Sequence, residues 1–243
     1  MIGILDSGIG GVTVLKEIIK LIPKGHFIYY SDSINNPYGD KSEEEIYSIV
    51  KRIVLYFLEN NCVAIVLACN TASCICVKRL REEFPKVLFI AIEPAYKMVH
   101  DYNPCGKTLV MATEGTLRSE KFLALYHNYD NNNTILLPCV GLADLIEKGD
   151  MNIVLKYLFD NLSQYKDVEN VVLGCTHYPL IKNNIRKVLG KVNFFDGSKG
   201  VSKELLRQLK LSGVNYEYDD IKIDFIDSSN SSLKEKRFRN LLN

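Results

Sequence analysis

What most limits the fold of this chain is an alternation, kept up from end to end, of short apolar runs with longer stretches of helical period. The short runs, rich in Ile, Val, Phe and Tyr, fall at 2–6, 27–30, 63–68, 87–91, 108–112, 171–174, 192–195 and 221–226. Runs of that length and composition read as buried strands, and strands separated by helices pair in parallel through βα units. The clearest intervening helix places Ile46, Ile49, Val50, Ile53, Val54, Phe57 and Leu58 at three- and four-residue steps. Glu43, Glu44 and Glu45 load its first turn, where the helix dipole favours negative charge, and Ser42 is placed to cap it.

The chain also resembles itself. Ala64-Ile65-Val66-Leu67-Ala68-Cys69-Asn70-Thr71 and Val171-Val172-Leu173-Gly174-Cys175-Thr176 share one design: a buried strand, a small residue, a cysteine, then hydroxyl or amide groups leading into a helix. The expected architecture is therefore α/β, with two similar lobes and mainly parallel sheets; the family resemblance given below implies a site at their interface. Pro94 and the Asn103-Pro104 pair mark the passage from one lobe to the next.

Composition narrows the function. With 47% apolar residues the chain can bury an ordinary core, and 30 basic residues nearly balance 29 acidic ones. No global field gathers nucleic acid or an anionic membrane, so a small-molecule partner is favoured. No apolar run approaches the ~18–20 residues of a membrane helix, and the N-terminus reads as a first strand rather than a secretory signal. The seven cysteines sit mostly in apolar runs, which fits free thiols in a reducing cytoplasm.

In open α/β sheets, ligands bind beyond the carboxyl ends of the strands. Asp6-Ser7-Gly8-Ile9-Gly10-Gly11 follows the first strand, and its glycines permit close approach of a ligand; the spacing G-x-G-G departs from the dinucleotide fingerprint G-x-G-x-x-G. The 31–39 segment, ending Asn36-Pro37-Tyr38-Gly39, is dense in turn formers and by itself reads as a loop. Cys69 and Cys175 each end a strand just before a helix N-terminus, a position whose positive dipole end is expected to lower a thiol pKa from its usual ~8.5. His177 stands two residues from Cys175 and could orient or ionise it. One buried cysteine is more often an inert apolar side chain, but two in matched settings argue for chemistry. Cys69, Cys74 and Cys76 lack the C-x2-C spacing of a zinc knuckle, so no metal site is expected, and Cys62, Cys74, Cys76, Cys105 and Cys139 are read as packing residues.

Four segments, Ile4–Gly11, Asn36-Pro37-Tyr38-Gly39, Ala68-Cys69-Asn70-Thr71-Ala72-Ser73 and Leu173-Gly174-Cys175-Thr176-His177-Tyr178-Pro179-Leu180, resemble in sequence and order the bacterial glutamate racemases of the aspartate/glutamate racemase superfamily. Glu93-Pro94, Ala112-Thr113-Glu114-Gly115-Thr116 and Leu145-Ile146-Glu147-Lys148-Gly149 extend the likeness over nearly the whole chain. The resemblance implies interconversion of L- and D-glutamate without pyridoxal phosphate, other cofactor or metal, for peptidoglycan synthesis and cell shape, and a possible homodimer. It implies that Cys69 and Cys175 are the two catalytic thiols, that Asp6, His177 and Glu147 assist them, and that Asp6, Ser7, Tyr38, Gly39, Asn70, Thr71, Thr113, Thr116, Thr176 and His177 line the substrate site. It further implies that the C-terminal segment returns to the first lobe, giving lobes of 1–93 with 206–243, and 94–205. Asn35-Asn36, Asp196-Gly197 and Ser228-Ser229-Asn230 depart from the usual pattern beside these motifs. An aspartate racemase of the same superfamily, or a silent module that only binds an acidic amino acid, would carry similar loops.

Overall fold

The computed structural model describes residues 1–130 and 132–243. The chain begins with β1 (Ile2–Asp6), α1 (Val12–Leu21), β2 (His26–Ser31), α2 (Glu43–Glu59), β3 (Ala64–Leu67), α3 (Asn70–Glu83) and β4 (Leu88–Ala91). It continues through α4 (Tyr96–Tyr102), β5 (Thr108–Ala112), α5 (Glu114–Arg118), α6 (Glu120–Tyr129), β6 (Thr134–Pro138), α7 (Leu142–Lys148), α8 (Met151–Leu162), β7 (Asn170–Gly174), α9 (Lys182–Leu189) and β8 (Asn193–Phe195). The last elements are α10 (Ser198–Ser212), β9 (Lys222–Asp227) and α11 (Ser232–Leu242). Two wholly parallel sheets result, in the orders β4-β3-β1-β2-β9 and β6-β5-β7-β8. The fold is α/β, as the alternation of strand and helix patterns predicts.

Both sheets are covered on both faces, which is why their central strands read as continuous apolar runs. In the first sheet Ile2 and Ile4 face α1, α10 and α11 through Val12, Leu15, Ile18, Leu205, Leu209 and Phe238. Leu5, Ile65 and Leu67 face the opposite layer, built from α2 and α3. Gly3 falls where the Phe57 ring lies: a Cβ there would sit 2.6 Å from the ring. In the second sheet Leu109, Met111, Val171 and Leu173 face α7, α8 and α9, while Val110, Ala112 and Val172 face α4, α5 and α6. Helix α2 opens as its sequence predicts, with the Ser42 hydroxyl accepting from the Glu45 N–H and the Glu45 carboxylate accepting from the Ser42 N–H.

Strand β6 was not legible among the apolar runs. It is the edge strand of the second sheet, its side chains are only partly buried, and it ends on Pro138, which an edge position tolerates. Helix α10 packs along α1 and is continuous across residue 206, so a division there would pass through it. Among the described residues no helix is long and apolar enough to cross a membrane.

The C-terminal helix is held by Phe238, fully buried, whose ring centroid lies 4.4 Å from that of Phe225 and 4.6 Å from that of Tyr29. Phe238→Ala is expected to lower unfolding stability by about 3–5 kcal/mol, the usual cost of truncating a buried aromatic. Urea unfolding is the check; an unchanged midpoint would show that α11 is not docked as described.

Candidate active site

The carboxyl ends of β1 and β3 meet those of β5 and β7 where the two sheets face one another, and this brings the two cysteine motifs together. In the first half, Leu5 pairs with Leu67, so Asp6 and Cys69 leave adjacent strands at nearly the same height. Cys69 takes extended backbone angles and serves as the N-cap residue of α3; its thiol donates to the Ser7 hydroxyl at 3.6 Å. In the second half, Ala112 pairs with Gly174, which sets Thr113 beside Cys175 at the strand ends. Both thiols are buried, and Cys175 acts electrostatically on Cys69.

Several polar links cross between the halves beside the thiols. Thr176 donates its hydroxyl to the Asp6 carboxylate at 3.0 Å, and the Gly8 N–H donates to the same carboxylate at 3.1 Å. The Ile9 N–H donates to Glu147 Oε1 at 2.6 Å. Thr71 Oγ1 forms a closed triangle of hydroxyls with Thr113 (2.9 Å) and Thr116 (3.2 Å), which are themselves 2.9 Å apart. Asn36 donates to Asp144 at 3.1 Å.

Cys175 has its own relay. Its sulfur lies 3.7 Å from His177 Nδ1, and His177 Nε2 lies 2.6 Å from Glu147 Oε1. Burial alone would lower the pKa of His177, but Cys175 and Glu147 hold it well above the usual imidazole value. Burial alone would raise Glu147; the imidazole, the Ile9 N–H and Lys234 reverse this and keep it ionised. An ionised Glu147 accepts a hydrogen bond from the Nε2–H group, which leaves Nδ1 directed at the thiol.

The other thiol departs from expectation. The α3 dipole was expected to lower the Cys69 pKa, but burial, reinforced by Asp6, pushes it up to about 12. The Ala72 N–H and Ser7 oppose this and lose. Desolvation of a charge outweighs one helix end unless a cation is also present. Asp6 is likewise raised by its burial, against the pull of His177 and its hydrogen-bond donors.

The glycines after β1 also serve differently from expectation. They admit the other half of the protein rather than open space for a ligand: a Cβ on Gly8 would lie 2.1 Å from Glu147 Oε1, and one on Gly10 would lie 2.5 Å from His177 Nδ1 and 2.7 Å from Thr176 Oγ1.

Of the remaining candidates, Tyr38 is buried and donates its hydroxyl to Asp32 at 2.6 Å, and Gly39 lies against Thr113. Asn70, on the first turn of α3, leaves its Oδ1 buried without a partner, as Glu147 does its Oε2; these are the two such side-chain atoms among the described residues. An orphaned buried acceptor costs about 1–3 kcal/mol, so each marks a place where a donor is wanted. Asp32, which orders Tyr38, was read only as part of the 31–39 loop, and Arg237, which donates to the Glu147 carbonyl, was not singled out because it belongs to no local motif. All seven cysteines are free, and among the described residues no cluster of His, Cys, Asp or Glu is placed to hold a metal.

Residues 2–200 match the family described as Asp/Glu/Hydantoin racemase. The chain belongs to this family. A glutamate racemase of Clostridium botulinum is 42% identical over 219 residues, covering 88% of this chain and 85% of that one. A crystal structure of a Bacillus anthracis glutamate racemase superposes with a TM-score of 0.88 at 31% identity, covering 100% of this chain and 93% of the other. A Francisella tularensis glutamate racemase crystallised with D-glutamate gives 0.84 at 28% identity, with 99% and 92% coverage. This family member thus shares its fold with them along its full length.

Two measurements test the site. Gly10→Ala is expected to cut activity at least tenfold by displacing His177, a misplacement of the order that costs up to ~100-fold; unchanged kinetics would mean the loop yields freely. Alkylation of Cys69, followed by mass spectrometry on the ligand-free protein, should rise roughly tenfold per pH unit through about pH 10, because a raised pKa keeps the thiolate scarce. A plateau near pH 9 would contradict the raised value.

Proposed function

We propose that this chain is a glutamate racemase that interconverts L- and D-glutamate by two-base proton exchange between Cys69 and Cys175. The observation that carries this reading is the pairing of two buried strand-end cysteines, one from each sheet, each with a separate partner: Ser7 for one, and His177 with Glu147 for the other. Inverting a stereocentre needs a base on one face of the α-carbon and an acid on the other. The names of its relatives support glutamate as the substrate.

In one direction a thiolate removes the α-proton, and the opposite thiol gives up its proton to the far face. The two sulfurs finish with exchanged protonation states, and the reverse reaction restores them. Charge accumulating toward the α-carboxylate is met by the N–H groups of the first turn of α3 and by the hydroxyls of Thr71 and Thr176. Asn70 Oδ1, buried without a hydrogen-bond partner, is suited to accept from the substrate ammonium. That ammonium also supplies the cation Cys69 lacks, bringing its thiolate within reach near neutral pH.

With both thiols less than a tenth exposed, the substrate enters only when the halves part. The links that cross between them beside the thiols are hydrogen bonds, which water can replace as the halves part. D-Glutamate made in this way would serve peptidoglycan synthesis.

Cys69→Ala and Cys175→Ala are each expected to abolish racemisation without loss of fold, read by circular dichroism of the glutamate and of the protein. In heavy water the wild-type enzyme should place deuterium at Cα of L-glutamate with no added cofactor. Near-normal turnover in either variant, or a requirement for pyridoxal phosphate, would sink the two-thiol scheme.

A further inference from the structure

We infer that Arg237, on the C-terminal helix, is a positioning residue for the Cys175 half of the site, acting through the main chain of Glu147. The inference rests on the two-thiol reading above. Glu147 is the next-to-last residue of α7, and a helix end leaves carbonyls without partners inside the helix. The Gly149 N–H satisfies Leu145. The next two carbonyls, of Ile146 and Glu147, each accept a hydrogen bond from one terminal nitrogen of the Arg237 guanidinium. A planar fork of donors suits two adjacent carbonyls, and a cation is favoured at a helix C-terminus.

The space for this contact is built in. Gly149 takes φ +86°, and a Cβ there would lie 2.8 Å from an Arg237 nitrogen. The clamp is also anchored, because the neighbouring Phe238 is fully buried against Tyr29 and Phe225. Tyr29 donates its hydroxyl to the Gly8 carbonyl, one residue from the Ile9 N–H that grips the Glu147 carboxylate. Glu147 is therefore fixed at both ends from the first half of the protein: its side chain by the loop after β1, its backbone by α11. The carboxylate that must lie 2.6 Å from His177 Nε2 has little freedom left. Arg237 touches neither thiol, so its effect passes through Glu147 and His177.

Because the two enantiomers have equal free energy, any variant lowers kcat/KM equally in both directions. The informative readout is the isotope effect with Cα-deuterated L- and D-glutamate, each of which reports proton removal by one thiol. Arg237→Met keeps the stem and removes the donors. It is expected to lower kcat by about 10–100-fold, as small misplacements of a positioned group do, with KM little changed. The isotope effect should rise for the enantiomer whose proton goes to Cys175 and not for the other. Arg237→Lys, which restores a cation and one donor, should recover part of kcat. If Arg237→Met does not fold, Arg237→Leu is read in the same way. Wild-type kcat in the donor-less variant, or isotope effects moving together for both enantiomers, would overturn the role of Arg237. If instead Cys175→Ala turned over normally, the two-thiol reading itself would fail, whatever Arg237 did.

Discussion

One carboxylate oxygen is shared across the join between the halves of this protein. Glu147 Oε1 accepts at 2.6 Å from both the Ile9 N–H and His177 Nε2, so a loop of the first sheet and an imidazole of the second share a single acceptor. Two donors converging on one buried oxygen keep it ionised, and an ionised Glu147 in turn keeps His177 protonated beside Cys175. The electrostatic state of the second thiol's surroundings thus depends on the first half being in place. Parting the halves would take the Ile9 N–H away from Glu147, one of the donors that keep its carboxylate ionised.

The loop after β1 makes that sharing possible. A side chain at Gly8 or Gly10 would occupy space held by Glu147, His177 and Thr176. Gly-rich turns at this point of an α/β sheet commonly admit a phosphate to backbone N–H groups. Here the Ile9 N–H admits a carboxylate of the protein itself, so the anion-binding geometry is spent on holding the halves together. That explains why the glycine spacing departs from the dinucleotide pattern while keeping its position.

How much of this was readable depends on whether the cause was local. Strand and helix periodicity exposed eight of the nine strands described, because buried parallel strands announce themselves as apolar runs; β6, half-buried at a sheet edge, does not. The cysteine motifs were visible for a similar reason: strand end, thiol and helix start are contiguous. The partner of a given atom was not visible. That Thr176 would bond Asp6 and that Arg237 would reach α7 both follow from chain reversals of about a hundred residues or more, which no window of sequence encodes.

The thiol at Cys69 shows the same limit in energetic form. A helix N-terminus is a local feature and argues for a low pKa, whereas burial is a property of the assembled fold and argues for a high one. The fold wins, with a carboxylate nearby adding to its side. Burial therefore favours the protonated form of the first thiol. In the two-thiol reading proposed above, the charge that would activate it comes from the ammonium group of the amino-acid substrate. Desolvation, which makes the resting thiol a poor base, also strengthens that ammonium's effect once it arrives, because the same low dielectric governs both interactions.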